Sequence, residues 1–354
     1  MVAIVGLKPT RRQYAATRAV TAWYMRLYYG NAGDVGVAAM FCRPDRVGHF
    51  VVDPKALATG APDALFRLLV TMSMFQRRSD LQIMRVLQGI AQADALELTD
   101  TAQLLKLADD GCDLARSLDR LLEQCDLGKC PETKRGICSQ RPDTECHLKR
   151  HTELLKRYGH FGKMPTSAAL MLRAQGVKDL PTLHARVWGE TADPLARARA
   201  LEVALSRAWR ISEKIAAMYL SAITNRDLSG ELATWAEGVD TNHFVVVDSN
   251  VDLFLKKIDY FGPMTYRARR AFIQTLAARI HLDELHPNVR RYNPRLVQQA
   301  LYMFMSESNR RADPTDCCHD APASCGRCPR VLASRCSFNA ARDQAADATA
   351  EAAT

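Results

Sequence analysis

Aromatic residues are few in this chain, 7% against 47% hydrophobic residues in all. No segment approaches the about twenty consecutive apolar residues that a membrane-spanning helix needs. The start carries no secretory signal pattern, and the eleven cysteines are an odd number. Together these set aside a disulfide framework and point to a reducing intracellular compartment, either nucleoid-associated cytoplasm or the nucleus. No internal repeat is present. Strand signals are scarce, because the one β-branched run, Phe244-Val245-Val246-Val247, is too short for a sheet.

At 354 residues the chain can bury two cores. Its net charge of +9 and pI near 9.0 favour an acidic partner, either nucleic acid or a membrane surface. The surplus concentrates between Lys129 and Lys163, where nine Lys/Arg face four Asp/Glu, with Tyr158 and Phe161 near the end. The dominant periodicity is helical. Leu65, Leu68, Leu69 and Met72, then Leu81, Met84 and Leu87, recur at three- and four-residue steps on either side of a polar corner, Gln76–Asp80. Similar runs predict helices near 101–124, 148–158, 166–175, 193–208, 212–224, 249–258, 265–281 and 294–307. Pro62-Asp63 and Pro165-Thr166 read as helix starts. The Ala-rich tail from Asn339 reads as disordered or a frayed helix.

Ten cysteines fall in two runs. The C-terminal run is Cys318-x6-Cys325-x2-Cys328-x7-Cys336, with Cys317 as a spare thiol. Four thiolates within nineteen residues, with Gly326 and Pro329 bending the chain between them, can converge on an iron–sulfur cluster or on a tetrahedral zinc. The other run, Cys125-x4-Cys130-x7-Cys138-x7-Cys146, is looser, with Cys112, His147 and His151 nearby. Its intervening residues offer almost no core, so a second metal, zinc or iron–sulfur, is expected to order it. The alternative is a basic loop whose cysteines are incidental. Cys42 reads as a buried small apolar residue.

Two further segments suggest chemistry. Trp209-Arg210-Ile211-Ser212-Glu213-Lys214 puts a lysine at a helix start, and Val247-Asp248-Ser249 puts an aspartate at another. Taken blind, these are a surface charge and an N-cap. In order along the chain, however, four features resemble the helix-hairpin-helix DNA glycosylases, in the endonuclease III branch that carries an iron–sulfur loop. The corner Met72–Asp80 is similar to the segment whose glutamine wedges into DNA. Lys214 lies where that family keeps its catalytic lysine, and Val247-Asp248-Ser249 is similar to the motif of its catalytic aspartate. The C-terminal cysteine loop matches in its x6 and x2 spacings, with the last spacing two residues longer. The resemblance covers about residues 60–340, excluding the 125–146 insertion.

The chain also departs from that pattern. Arg210 and Ser212 stand at positions where the family's hairpin is Gly-rich, so the hairpin is expected either to distort or to grip phosphate through the Arg210 guanidinium. Residues 225–242 form an insertion, and Asn250 replaces a common histidine. The resemblance implies a [4Fe–4S] cluster on Cys318, Cys325, Cys328 and Cys336, with Cys317 as the alternative to Cys318. It implies DNA contacts from Gln76, Arg77, Arg78, Arg210, Ser212, Arg327, Arg330 and Arg335. It also implies a catalytic pair in which Lys214, desolvated to a neutral amine, attacks the sugar C1′ while Asp248 stabilises positive charge on the sugar.

The expected fold is all-α and two-lobed. Residues 1–55 would supply N-terminal helices packing with a 241–340 cluster lobe, and residues 56–240 a helical barrel interrupted by the basic loop at 125–147. Residues 341–354 would be a tail. Duplex DNA would lie in the cleft between the lobes, on a monomer, with Lys214 and Asp248 facing one another. The expected function is a DNA glycosylase with lyase activity. A non-catalytic nucleic-acid-binding protein on the same scaffold is the alternative, and a metal-cluster redox or sensor protein without DNA function is a third.

Overall fold

The computed structural model describes residues 8–30, 36–76, 78–125, 127–129, 136–138, 148, 162–321 and 323–339. In class the protein is all-α. Among the described residues, the sole strand pairing is an antiparallel ribbon of Leu127–Lys129 with Gly136–Cys138. The chain forms two compact units, residues 36–244 and residues 1–35 with 245–354.

These limits shift the expected boundaries at 55/56 and 240/241. Residues 36–55 pack within the larger unit because their apolar side chains Phe41, Val47, Phe50 and Val52 are buried there. The short helix Pro44–Val47 lies on Asp80–Gln88. Gly48, at φ +58°, approaches so closely that a Cβ would sit 2.8 Å from the Leu87 carbonyl oxygen, which leaves room for no side chain.

In the larger unit, the helix Pro62–Ser73 starts with proline at its first position, and Asp63 lies in the first turn rather than at the cap. It buries Leu65, Leu68, Leu69 and Met72, each contributing roughly 1.5–3 kcal/mol. The chain turns a corner, and Ser79 begins the next helix through a reciprocal capping box with Gln82. That helix, Asp80–Gln88, buries Ile83, Met84 and Leu87, whereas Leu81 stays partly exposed. The run expected as one helix over 101–124 breaks at Gly111 into Thr101–Asp110, a 3-10 turn at Asp113–Arg116, and Leu118–Glu123. Glycine in a helix interior costs about 1 kcal/mol, so the break falls there. Pro165 sits inside the first turn of Lys163–Ala174, where its missing amide has no intrahelical partner to lose. The predicted helix near 148–158 falls outside the described residues, apart from the buried Leu148.

In the other unit, Arg11–Leu27 opens with a capping box of Thr10 and Gln13. It packs on Pro294–Met305, which also contacts Ser249–Lys257 and Tyr266–Ala277. The core there is aromatic. Trp23 meets Phe304 edge-on at 5.1 Å between ring centres, and Phe254 meets it at 6.5 Å. Val245–Val247 is buried but pairs with no strand among the described residues; its Val245 carbonyl accepts instead from the Tyr266 hydroxyl at 2.7 Å. The tail beyond Asn339 lies outside the described residues.

Candidate functional site

The larger unit carries a helical hairpin, Pro194–Leu205 and Glu213–Thr224, joined through Ser206–Ser212. Backbone bonds from Ala208 to Leu205 and from Ile211 to Ala208 tighten the turn, and the buried Ile211 anchors it. Between them Arg210 adopts φ +64°, the left-handed region. A residue with a side chain holds that conformation at a cost of roughly 1–2 kcal/mol. The turn therefore holds an arginine in a backbone form suited to glycine. The Arg210 guanidinium lies over the Trp209 ring at 5.0 Å, and the buried Lys163 ammonium approaches the same ring at 5.3 Å. Lys163 also donates to the Cys125 carbonyl at 2.6 Å.

Ser212 is the N-cap of the second helix and makes no side-chain cap bond, so it leaves the first-turn amides to other acceptors. Lys214 follows two positions later, half-buried. Gln76 connects this hairpin to the corner: its Nε2 donates to the Ser73 carbonyl at 2.6 Å and to the Arg210 carbonyl at 3.2 Å. The wedge expected from the sequence is thus folded back onto backbone. Arg78 is half-buried, and Arg77 lies outside the described residues.

Asp248 belongs to the other unit. It caps Ser249–Lys257 by accepting from the Val251 amide at 2.9 Å. Near it lies Arg295, only 3% exposed, whose pKa burial lowers to about 10 against the opposing charges of Tyr24 and Asp248.

The C-terminal cysteines gather around one guanidinium. Arg310 donates to Cys336 Sγ at 3.4 Å and to Cys317 Sγ at 3.5 Å. The Cys328 thiol is raised by burial and then by the charges of Cys336, Cys317 and Cys325. Cys318 takes a different direction: its thiol points to the Arg310 carbonyl at 3.8 Å, and burial followed by Asp316 pushes it up to about 11. Cys317 and Cys336 thus share one guanidinium, whereas the thiols of Cys318 and Cys325 point to the carbonyls of Arg310 and Phe338, that of Cys325 at 3.4 Å. Among the described residues no three His, Cys, Asp or Glu side chains stand close enough to hold a metal ion. A cluster asks for wider spacing than one ion, since its own iron and sulfide atoms lie between the thiolates. As a donor set, four cysteines fit it.

Of the arginines beside these cysteines, Arg327 is exposed with a loose pairing to Asp320 at 3.5 Å, and Arg330 is exposed. Arg335 turns inward, donating to the Val331 carbonyl and the Ser334 hydroxyl. In the basic insertion, Cys125 and Cys138 are described, while Cys130, Cys146, His147 and His151 lie outside the described residues. The ribbon there was not expected, and its register sets Cys138 opposite Leu127, two residues from Cys125.

Some of these features carry no obvious sequence signal. Arg310 looked like an ordinary basic residue in a polar stretch, and Asp316, Tyr28 and Trp23 carried no motif. A helix at Leu180–Glu190 was also missed, although Leu180, Leu183 and Val187 show its spacing and Asp179 caps it. No described helix is long and apolar enough to cross a membrane. Compared with known proteins, the chain matches no family model, no curated protein and no solved structure.

Proposed function

We propose that the protein is a DNA glycosylase with lyase activity, of the helix-hairpin-helix type, acting on a modified or mispaired base in duplex DNA. The observation that carries this reading is the left-handed Arg210 in the hairpin turn, leading into a helix start that Ser212 does not cap and that bears Lys214. Strained backbone persists where the surrounding structure over-determines it, and such places concentrate at working sites. An uncapped helix start offers amides and a positive dipole end to a phosphate.

Extruding the target nucleotide costs a few kcal/mol, least for a damaged or mispaired base. Gln76 would release its two backbone carbonyls to fill the gap, with Arg77 and Arg78 beside it. Lys214 attacks the sugar C1′ through its amine nitrogen as the glycosidic bond breaks and the base leaves with the electron pair. Loss of the amine proton to solvent and opening of the C1′–O4′ bond then give the Schiff base that permits β-elimination of the strand. Asp248 offsets the positive charge that develops on the sugar. Arg327 and Arg330 contact phosphates, which fix position rather than sequence.

The four cysteines Cys317, Cys325, Cys328 and Cys336 would hold a [4Fe–4S] cluster, and Cys125, Cys130, Cys138 and Cys146 a second metal ordering the basic insertion. When bound, the cluster supplies a staple for the loop and a one-electron centre. One observation favours a non-catalytic nucleic-acid-binding protein instead: the Asp248 carboxylate is already engaged as a cap near the buried Arg295. An incision assay on a panel of lesion-bearing duplexes separates the two. The wild type is expected to cut at least one lesion, and Asp248→Asn to slow base loss by orders of magnitude. Binding without incision on every lesion contradicts the enzymatic reading.

A further inference from the structure

Arg310 lies in the helix Glu307–Ala312 with its side chain 1% exposed. A guanidinium has five N–H groups, and here each has an acceptor. Nε and Nη2 donate to the two carboxylate oxygens of Asp316 at 2.8 and 3.0 Å. Nη1 donates to the Phe304 carbonyl at 3.1 Å and to Cys336 Sγ at 3.4 Å, and Nη2 also donates to Cys317 Sγ at 3.5 Å. The rings of Phe338, Trp23 and Phe304 surround the group at 4.7, 5.0 and 5.5 Å. Asp316 is itself held by the Tyr28 hydroxyl and by the Cys318 amide. One carboxylate would suffice to neutralise this cation. The two remaining donors are aimed at the sulfurs of two cysteines from opposite ends of the loop.

We infer that Arg310 sets the reduction potential of a cluster held by Cys317, Cys325, Cys328 and Cys336, by hydrogen-bonding two of its ligand sulfurs. The inference rests on the cluster reading above. An added electron raises the negative charge on the ligand sulfurs, so N–H donors stabilise the reduced form more than the oxidised one and raise the potential. The surrounding rings keep water away, which strengthens each such bond. Lysine in this place would keep the charge but lose the planar fork that reaches both sulfurs and both carboxylate oxygens.

The test uses full-length protein purified without oxygen, titrated with a dithionite-type reductant and mediators while the cluster's EPR signal is followed. Arg310→Lys is compared with wild type and with Arg311→Lys, a neighbouring exposed position. Arg310→Lys with four irons is expected to show at least a tenfold lower reduced-to-oxidised ratio at fixed ambient potential, about 59 mV for one electron. Arg311→Lys is expected to match wild type. An Arg310→Lys protein with its iron and an unchanged potential overturns the inference but leaves the cluster reading standing. Iron-free wild type overturns the cluster reading, and the inference with it. If Arg310→Lys fails to load iron, the wild type decides: its Fe–S(Cys) Raman bands should shift when the cluster is rebuilt in D2O, and unshifted bands overturn the inference.

Discussion

Cys317 and Cys318 are neighbours in sequence, yet their thiols face different surroundings. Cys317 receives an N–H from Arg310, and it adds its charge to those acting on Cys328. Cys318 turns toward the Arg310 carbonyl, and its amide donates to Asp316. Spacing alone cannot separate two adjacent thiols, because a shift of one residue changes which side chain points inward without changing the pattern of the others. Cys317→Ser is therefore expected to lower iron content and the cluster's visible absorbance, while Cys318→Ser keeps both. Iron analysis of the two variants checks this, and loss confined to Cys318→Ser would restore the assignment made from the x6 spacing. Arg310 was equally illegible. Its significance lies in five hydrogen bonds, none of which leaves a trace in sequence.

At the scale of elements, the hairpin shows both what patterning reveals and where it stops. Apolar residues at three- and four-residue steps announced its helices, and the observed spans Pro194–Leu205 and Glu213–Thr224 fall within the predicted runs. Pattern says nothing of the turn, since an arginine gives no sign of a left-handed φ. Hydrogen bonds on either side and the buried Ile211 hold Arg210 at φ +64°. Arg210→Gly is expected to change stability by less than about 1 kcal/mol, since relieved strain offsets glycine's greater entropy in the unfolded chain. Arg210→Val should cost more than the glycine variant, because a β-branched side chain fits this region worst. Chemical denaturation of the three proteins measures the difference, and equal stability of Val and Arg would mean that the turn relaxes to negative φ. The break at Gly111 and the missed Leu180–Glu190 helix mark the same limit: local chemistry ended one run, and a cap began another.

For the molecule as a whole, the helical class was legible in the periodicity and the scarcity of strand signals, whereas the unit boundary at residue 36 was not. Residues 36–55 join the larger unit through contacts distant in sequence, such as Gly48 against Leu87, which no local pattern encodes. The net charge of +9 makes a whole-molecule prediction about binding. Contacts with about five phosphates give a log–log slope of affinity against salt near −4.5 on duplex DNA. Fluorescence anisotropy across a salt series measures it, and a slope near zero would mean that the basic surface serves another partner.

Attack of Lys214 on the sugar is tested by borohydride trapping on an abasic duplex. Borohydride reduces a Schiff base to a stable covalent protein–DNA complex. A trapped complex is expected with wild-type protein and none with Lys214→Gln, whose duplex affinity should stay close to wild type because one charge among many is lost. A wild type that incises yet never traps, or a Lys214→Gln protein that traps as well as wild type, contradicts it.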